Sequence, residues 1–411
     1  MRFLRSRRYG FLGQGQSVMN TAAVAAGFGM LLLGYDQGVM AGLIGSEGTP
    51  FSNTFKNPDA ATLGIMVGEC FVPALRASQN LIRILRIAIY EIGCFVGAGF
   101  SFFWGENFSR RTCMIWGVLV MFVGAALQTA AMNMGQLIAG RVITGLGNGL
   151  NFSTIPTWAS EVSGLEERGR VAAFNGWLII WGVVIAYWTD YACASYTTDM
   201  QFRFPIALQI LFGLIMLVMV LFLPESPRWL VSRGYDDEAK EVLDWITPRA
   251  KEKGTEQIEV VEQTYRSIIQ ARELEKEAEG KFSYAELFHG GAGQNWRRMA
   301  LCAGIMACQQ LSGYASIFSN TGGQPLLTIC LDSINLLTYY ISYVLQNSVG
   351  LDRHTSLLVG GINGIEYLVA AIIPIWTIER FGRRKLLLLS ACGQTISMAI
   401  LSAALWFITA H

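Results

Sequence analysis

The chain has 411 residues, of which 52% are hydrophobic and only 15% charged, against roughly 25% in soluble domains. Mean hydropathy is +0.39. A formal net charge of +1 supplies no global field for nucleic acid, and no acidic or basic tail stands out. Cys70, Cys94, Cys113, Cys193, Cys302, Cys308, Cys330 and Cys392 form no CxxC pair and no cluster with histidine, so neither a metal site nor a disulfide framework is expected.

A helix needs about 20 apolar residues to cross the hydrocarbon core. Runs of that kind, bounded by charges, predict about nine spans: 20–43, 88–104 with some upstream residues, 112–133, 137–158, 171–194, 203–223, one broken between 299 and 349, 355–377 and 386–408. The N-terminus carries Arg2, Arg5, Arg7 and Arg8 without a short apolar core ending in a cleavage site, so the first span is expected to act as its own insertion signal. With that end placed in the cytoplasm, the basic residues fall in every second connection, at Arg110 and Arg111, Arg168 and Arg170, the loop 224–298, and Arg380 to Lys385. The opposite connections are short and sparsely basic. The chain is therefore expected to be an all-α polytopic membrane protein.

Within the first span, Asp36 stands in GYDQGVMAG. A carboxylate at that depth is costly unless it faces a water-filled cavity or an ion partner. Arg141, opening GRVITGLGNGL in the fourth span, is the partner expected. The pair is either a structural tie between two helices or a titrating site coupled to transport. GLGNG at 145–149 superficially resembles a dinucleotide-binding loop, but it lacks the preceding strand. Its glycines are expected to let helices approach closely, as small residues do in bilayers. In the loop 224–298, Val242, Leu243, Trp245 and Ile246 are too few to define a core, which predicts short amphipathic helices on the cytoplasmic face.

Five strings then occur in order: GRVITGLGNG, PTWASEVSGLEERGR at 156–170, PESPRWL at 224–230, QQLSG at 309–313 and ERFGRRK at 379–385. Together they resemble the sugar porter family of the major facilitator superfamily over nearly the whole chain. GENFSRR at 105–111 is similar to a degraded first copy of ERFGRRK, with Glu106, Asn107 and Ser109 departing from the family pattern. The resemblance implies two six-helix bundles around a midplane sugar site, working by alternating access. It also implies a cytoplasmic gating network of Arg110, Arg111, Glu161, Arg168, Glu225, Arg228, Glu379, Arg380, Arg383 and Arg384. Positive-inside anchoring accounts for part of that arginine content. Gln309 and Gln310 match the family's sugar-binding pair, and two amides buried in lipid without a partner would be expensive. Asn335, Tyr339 and Tyr340 match the residues that follow the pair.

Two stretches break this pattern. Tyr314 to Ser333 separates QQLSG from Ile334 and Asn335, and carries Asn320, Gly322, Gly323, Pro325 and Asp332 into what should be a continuous span. Residues 68–87 bring Glu69, Pro73, Arg76, Arg83 and Arg86 to the outer end of the second span, against the charge rule. Both are about 20 residues long and begin with residues whose codons can spell an intron donor, so each is expected to be an intron translated in error; the alternative is a natural insertion that forms an extracellular loop. The expected organisation is thus a six-helix bundle over 1–223 with an insertion at 68–87, a cytoplasmic loop over 224–298, and an incomplete second bundle over 299–411 with an insertion at 314–333. After the ninth span the chain ends at His411, so about nine of the twelve helices that the resemblance implies are expected.

The function expected is transport of a hexose or related sugar across a membrane, the plasma membrane being the expected one, by facilitated diffusion or proton symport. The partners are the sugar, protons and the lipid bilayer, with no nucleic acid. A non-transporting sugar sensor and a non-functional truncated product are the alternatives. No enzyme is expected, because His289, His354, His411 and the scattered carboxylates make no catalytic constellation. Sequencing of mature transcripts tests the insertions: most reads should lack codons 68–87 and 314–333, and reads that retain both would contradict the intron reading.

Overall fold

The computed structural model describes residues 15–40, 43, 49–55, 89–105, 107–163, 168–247, 254–279, 295–311, 345–346 and 350–410. The stretches 68–87 and 314–333 lie outside them, as do Asn335, Tyr339 and Tyr340. In chain order the helices are α1 (Gln16–Gly38), α2 (Pro50–Thr54), α3 (Ile89–Trp104), α4 (Arg110–Thr129), α5 (Met134–Val162), α6 (Arg168–Cys193) and α7 (Met200–Phe222). They continue as α8 (Pro227–Ser232), α9 (Asp236–Ile246), α10 (Gly254–Glu279), α11 (Asn295–Leu311), α12 (Arg353–Ala370), α13 (Ile372–Phe381) and α14 (Arg383–Ala410). Each of the nine expected spans has a helix, the seventh through α11 alone, and α12 with α13 forms the eighth. No strand is found among the described residues. Helix is the element expected in lipid, because it satisfies its backbone groups internally.

Short polar side chains mark where several helices begin. Ser109 accepts a hydrogen bond from the backbone N–H of Thr112 at the start of α4, and Asn133 from that of Gln136 at the start of α5. Ser226 caps α8, with Pro227 in the first turn, and Asp352 caps α12 through the N–H of His354. Among the described residues, five segments are long and apolar enough to cross a membrane: Gln16–Gly38, Arg110–Thr129, Gly169–Cys193, Met200–Phe222 and Arg353–Thr377. The 29-residue α5 is less apolar, because its buried residues include Arg141, Thr144, Asn148, Asn151 and Thr154. A lipid-facing helix would not tolerate that set; α5 runs through the middle of a bundle.

The packing order follows from that. α5 lies between α3 and α4 and also touches α1; α1 lies against α6 and α7; α4 touches α7. Glycine makes these approaches possible. A methyl group at Gly149 would collide with the backbone of Cys94 on α3, and one at Gly34 of α1 with the carbonyl of Ile179 on α6. The GLGNG string is thus a contact surface: Gly145 and Gly149 face α3, whereas Gly147 faces α4. α12 packs against α6, where Trp177 donates its indole N–H to the carbonyl of Leu368 at 3.1 Å and Trp188 lies over Gly361.

The described part of the connection 224–298 contains more than short amphipathic helices. α10 runs for 26 residues. Val242, Leu243, Trp245 and Ile246 are buried, together with Val261 and Tyr265 of α10. They are continuous with Val18 and Ala22 at the start of α1, and the N–H of Gly15 bonds the carbonyl of Trp245 at 2.8 Å. Four apolar side chains too few to form a core of their own therefore extend the core of the bundle.

Gly149→Ala should lower the melting temperature of the purified protein in detergent by the equivalent of about 1–3 kcal/mol or more, because backbone meets backbone there. Gly176→Ala, where an added methyl meets nothing within 4 Å, should leave melting unchanged or raise it slightly. Equal melting of the two variants would contradict the packing described.

Candidate functional site

The centre of the bundle holds one dense polar cluster. Arg141 of α5 donates from Nη1 to Oδ1 of Asp36 at 3.0 Å and to the Asp36 carbonyl at 3.2 Å. Asn148, two turns along the same face of α5, donates from Nδ2 to the other carboxylate oxygen at 2.8 Å and to the Tyr90 hydroxyl at 3.2 Å. The guanidinium carbon stands 4.3 Å from the centroid of the Tyr90 ring, a cation–π arrangement. Asp36 is 0% exposed, Arg141 1%, Tyr90 1% and Asn148 2%. The partners expected from sequence therefore meet.

Behind the pair, the Gln128 amide donates to the Thr144 hydroxyl at 2.6 Å, and that hydroxyl donates to the Gly140 carbonyl. Tyr35, next to Asp36, donates to the carbonyl of Pro205 on α7 at 2.8 Å. Both carboxylate oxygens thus have donors, and the guanidinium has acceptors and a ring face. This satisfaction permits a full charge pair inside a membrane bundle; removal of one partner from such a pair costs about 3–5 kcal/mol. A proton arriving on Asp36 would cancel its charge and leave the guanidinium, which stays charged, without its counter-ion. The pair therefore ties α1 to α5 through a charge contact.

Tyr90 and Asn148 were not picked out in the sequence. Arg141, Thr144, Asn148 and Asn151 recur at intervals of three and four along an apolar string, the period of one helical face, and that signal was legible. Tyr90 has no comparable pattern; only its approach to α5, across Gly145, reveals it.

The residues expected to form a cytoplasmic gating network are brought together in part. Arg110 pairs with Glu161 at 3.4 Å, which ties the start of α4 to the end of α5. The backbone N–H of Arg111 donates to Oε1 of Glu225 at 3.3 Å, the N–H of Ser226 to the same oxygen at 3.1 Å, and the Arg111 guanidinium to the carbonyl of Leu221. Arg233 reaches Asn107 at 3.0 Å. Arg228, Arg380 and Arg384 are exposed. The side chains of Arg168, Glu379 and Arg383 lie outside the described residues, as do those of Gln309 and Gln310, whose backbone belongs to α11.

Glu225 lies beyond the end of α7 and is buried, so desolvation holds its carboxyl above the ordinary carboxylate range, against the lowering effect of hydrogen bonds from Ser109, Ser226 and Arg111. The folded protein therefore binds this proton more tightly than the unfolded chain. Its contribution to stability is full below the ordinary carboxylate range and declines as pH rises from there through the raised value.

The sequence matches the family described as "Sugar (and other) transporter" over residues 21–320 and 326–411. It is 34% identical over 402 residues to the "Major facilitator superfamily transporter mfsA" of Aspergillus fumigatus, covering 95% of this chain and 66% of that protein. It is 32% identical over 414 residues to the "Sugar transporter STL1" of Saccharomyces cerevisiae, covering 98% of this chain and 64% of that one. The chain thus spans about two thirds of the length of these relatives. Among solved structures, the proton:xylose symporter XylE bound to 6-bromo-6-deoxy-D-glucose aligns with a TM-score of 0.66 at 23% identity, over 90% of this chain and 71% of that one. A partially occluded inward-open form of XylE from E. coli aligns at 0.62 and 21% identity, over 90% and 75%. The fold is that of the major facilitator superfamily.

Glu225→Gln, a mimic of the protonated side chain, should melt at or above the parent at about pH 8, with the difference closing at about pH 5. A parent that is more stable than the variant at pH 8 would contradict the burial argument.

Proposed function

This chain belongs to the sugar (and other) transporter family, and we infer that it moves a hexose or related sugar across a membrane by alternating access, with a proton carried in the same direction. The observation that carries this reading is the buried cluster of Asp36, Arg141, Asn148 and Tyr90, because a satisfied charge pair at membrane depth is a device for responding to a proton. Sugar as the substrate class comes from the relatives, one of them a sugar transporter by name and another solved as a proton:xylose symporter.

In the proposed cycle, ionised Asp36 holds Arg141 and so holds α1 against α5. Protonation releases the guanidinium, the two helices lose their shared charge contact, and the barrier between the outward and inward states falls. Loss of the proton to the cytoplasm restores the pair. Arg110 with Glu161 is a partly exposed ion pair, and the backbone N–H of Arg111 with the buried Glu225 a sheltered contact, at the proposed cytoplasmic ends of α4, α5 and α7. An exposed pair of the first kind is individually weak and re-forms readily. Arg168, Arg228, Glu379, Arg380, Arg383 and Arg384 complete this network in the proposal. Gln309, Gln310, Asn335, Tyr339 and Tyr340 are proposed to hold the sugar, since amides and phenols offer donors and acceptors to hydroxyl groups. The N-terminus is placed in the cytoplasm and the protein in the plasma membrane.

Uptake of labelled hexose by cells expressing the chain, with the external pH recorded, tests the proposal. Sugar addition should alkalinise the medium. Asp36→Asn, which cannot ionise, should abolish that alkalinisation and leave an uptake that no longer responds to external pH. Uptake indifferent to pH and to this substitution would exclude coupling at the cluster, and absence of uptake for every hexose and pentose tried would exclude the substrate class.

A further inference from the structure

Among the described residues, three amides are buried with neither side-chain atom hydrogen-bonded to protein: Asn151, 3% exposed, Asn175, 4%, and Gln209, 0%. Burial of an amide in this state is costly, and in folded proteins such groups are met by enclosed water. Asn175 stands on α6 and Gln209 on α7. Asn151 stands on α5, the helix that carries Arg141 and Asn148, and its neighbours on either side give it a use.

Asn151 follows Asn148 by three residues, so the two side chains are neighbours on the helix surface, with about 5–6 Å between their Cβ atoms. Asn148 in turn donates to the Asp36 carboxylate. In the other direction Thr154, three residues further on and 5% exposed, shares a hydrogen bond with Ser101 of α3 at 3.1 Å. Both hydroxyls line a cavity of 610 Å³, together with Ser153 and Thr157 of α5 and Arg110 and Cys113 of α4. α4 gives the same register: a methyl group at Gly117 would collide with Oδ1 of Asn151, and Cys113, in the cavity wall, stands one turn before Gly117. Asn151 therefore lies about one helical turn from the Asp36 cluster and about one from the cavity, which the Arg110–Glu161 pair borders.

The charged and titratable groups around the Asp36 end are Arg141 of α5, Tyr90, Glu91 and Cys94 of α3, Tyr35 of α1 and Asp190 of α6. At the cavity end they are Arg110 and Cys113 of α4, Glu161 of α5 and Glu225 beyond α7. Between Arg141 and Glu161, α5 carries no charged residue. Its amides and hydroxyls can hold water in line by donating and accepting hydrogen bonds, and the water can carry a proton.

We propose that Asn151 holds enclosed water that joins Asp36 to this cavity, and that the proton taken up by Asp36 leaves along that water. In the exit step the O–H bond at Asp36 breaks and its proton bonds to the first water. Each water then gives up one proton as it takes one, until a proton reaches the water of the cavity. Asp36 is left ionised and regains Arg141 as its counter-ion. Asn148 and Asn151 position the water and carry no proton themselves. The sealed carboxylate thus discharges without itself opening to the cavity. This inference rests on the reading of the chain as a proton-coupled sugar transporter.

Two measurements on the full chain test it. Net uptake requires Asp36 to release its proton inside. Counterflow, the exchange of labelled for unlabelled sugar, does not, because the transporter can return still protonated. In proteoliposomes, Asn151→Leu should lose the acceleration of net uptake by an inward proton gradient and keep the parent's rate of counterflow. Asn151→Ser, which leaves space and a hydroxyl for water, should keep both. An Asn151→Leu protein that responds to the gradient as the parent does, or that slows counterflow as much as net uptake, overturns the proposal. The second measurement needs no variant to fold: a structure of the parent in lipid nanodiscs, at a resolution that shows ordered water, should place water within about 3.2 Å of the Asn151 amide. An amide with no adjoining water overturns the proposal. Net uptake that responds to the gradient and loses that response in Asp36→Asn, yet is unmoved by Asn151→Leu, defeats this inference alone. Parent uptake indifferent to the gradient defeats both this and the coupled function.

Discussion

The structure depends on one electrostatic constraint: a carboxylate and a guanidinium lie inside a helical membrane bundle, and every polar atom of the pair must find a partner there. Asp36 has donors on both oxygens, from Arg141 and Asn148, and Arg141 has the Asp36 carbonyl and the Tyr90 ring in addition. These partners come from three helices, so α1, α3 and α5 must approach more closely than ordinary side chains allow. The glycines of α5 serve that need. Gly145 and Gly149 let α3 in from one side, and Gly147 admits α4 from the other. The polar cluster and the glycine-rich string that surrounds it are two aspects of one solution, and neither makes sense alone.

The same constraint explains the division of labour between the middle of the bundle and its end. In the middle, a buried charge pair is expensive to break. At the end, partial exposure makes the Arg110–Glu161 pair weak, while the backbone N–H of Arg111 binds the buried Glu225. α9 and α10 lie against that end through Trp245, Val261 and Tyr265, and Gly15 joins them to the start of α1. One helix, α1, thus carries Asp36 near one end and meets the loop helices at the other.

Much of this was legible in the sequence. Hydrophobic length and the alternation of basic connections placed a helix on each of the nine expected spans, because those two rules follow directly from the bilayer. Asp36 and Arg141 were legible as partners because charges in apolar spans are rare. Asn148 was legible in principle from its spacing to Arg141. Tyr90 was not singled out, because an aromatic residue is ordinary in a span. The loop helices were underestimated for a different reason. Val242, Leu243, Trp245 and Ile246 were weighed as a separate core, whereas their burial comes from a helix more than 200 residues earlier in the chain. Of the residues expected to hold sugar, Asn335, Tyr339 and Tyr340 lie outside the described residues, and Gln309 and Gln310 are placed by backbone alone.

The central claim is that the buried cluster ties sugar movement to proton movement, and accumulation in sealed proteoliposomes measures that tie most directly. With an inward proton gradient imposed and labelled hexose at equal concentration on both sides, the account predicts that sugar rises inside above the external level and returns to equality when a protonophore is added. Uptake that only ever equilibrates, at a rate unchanged by the gradient or the protonophore, would contradict it.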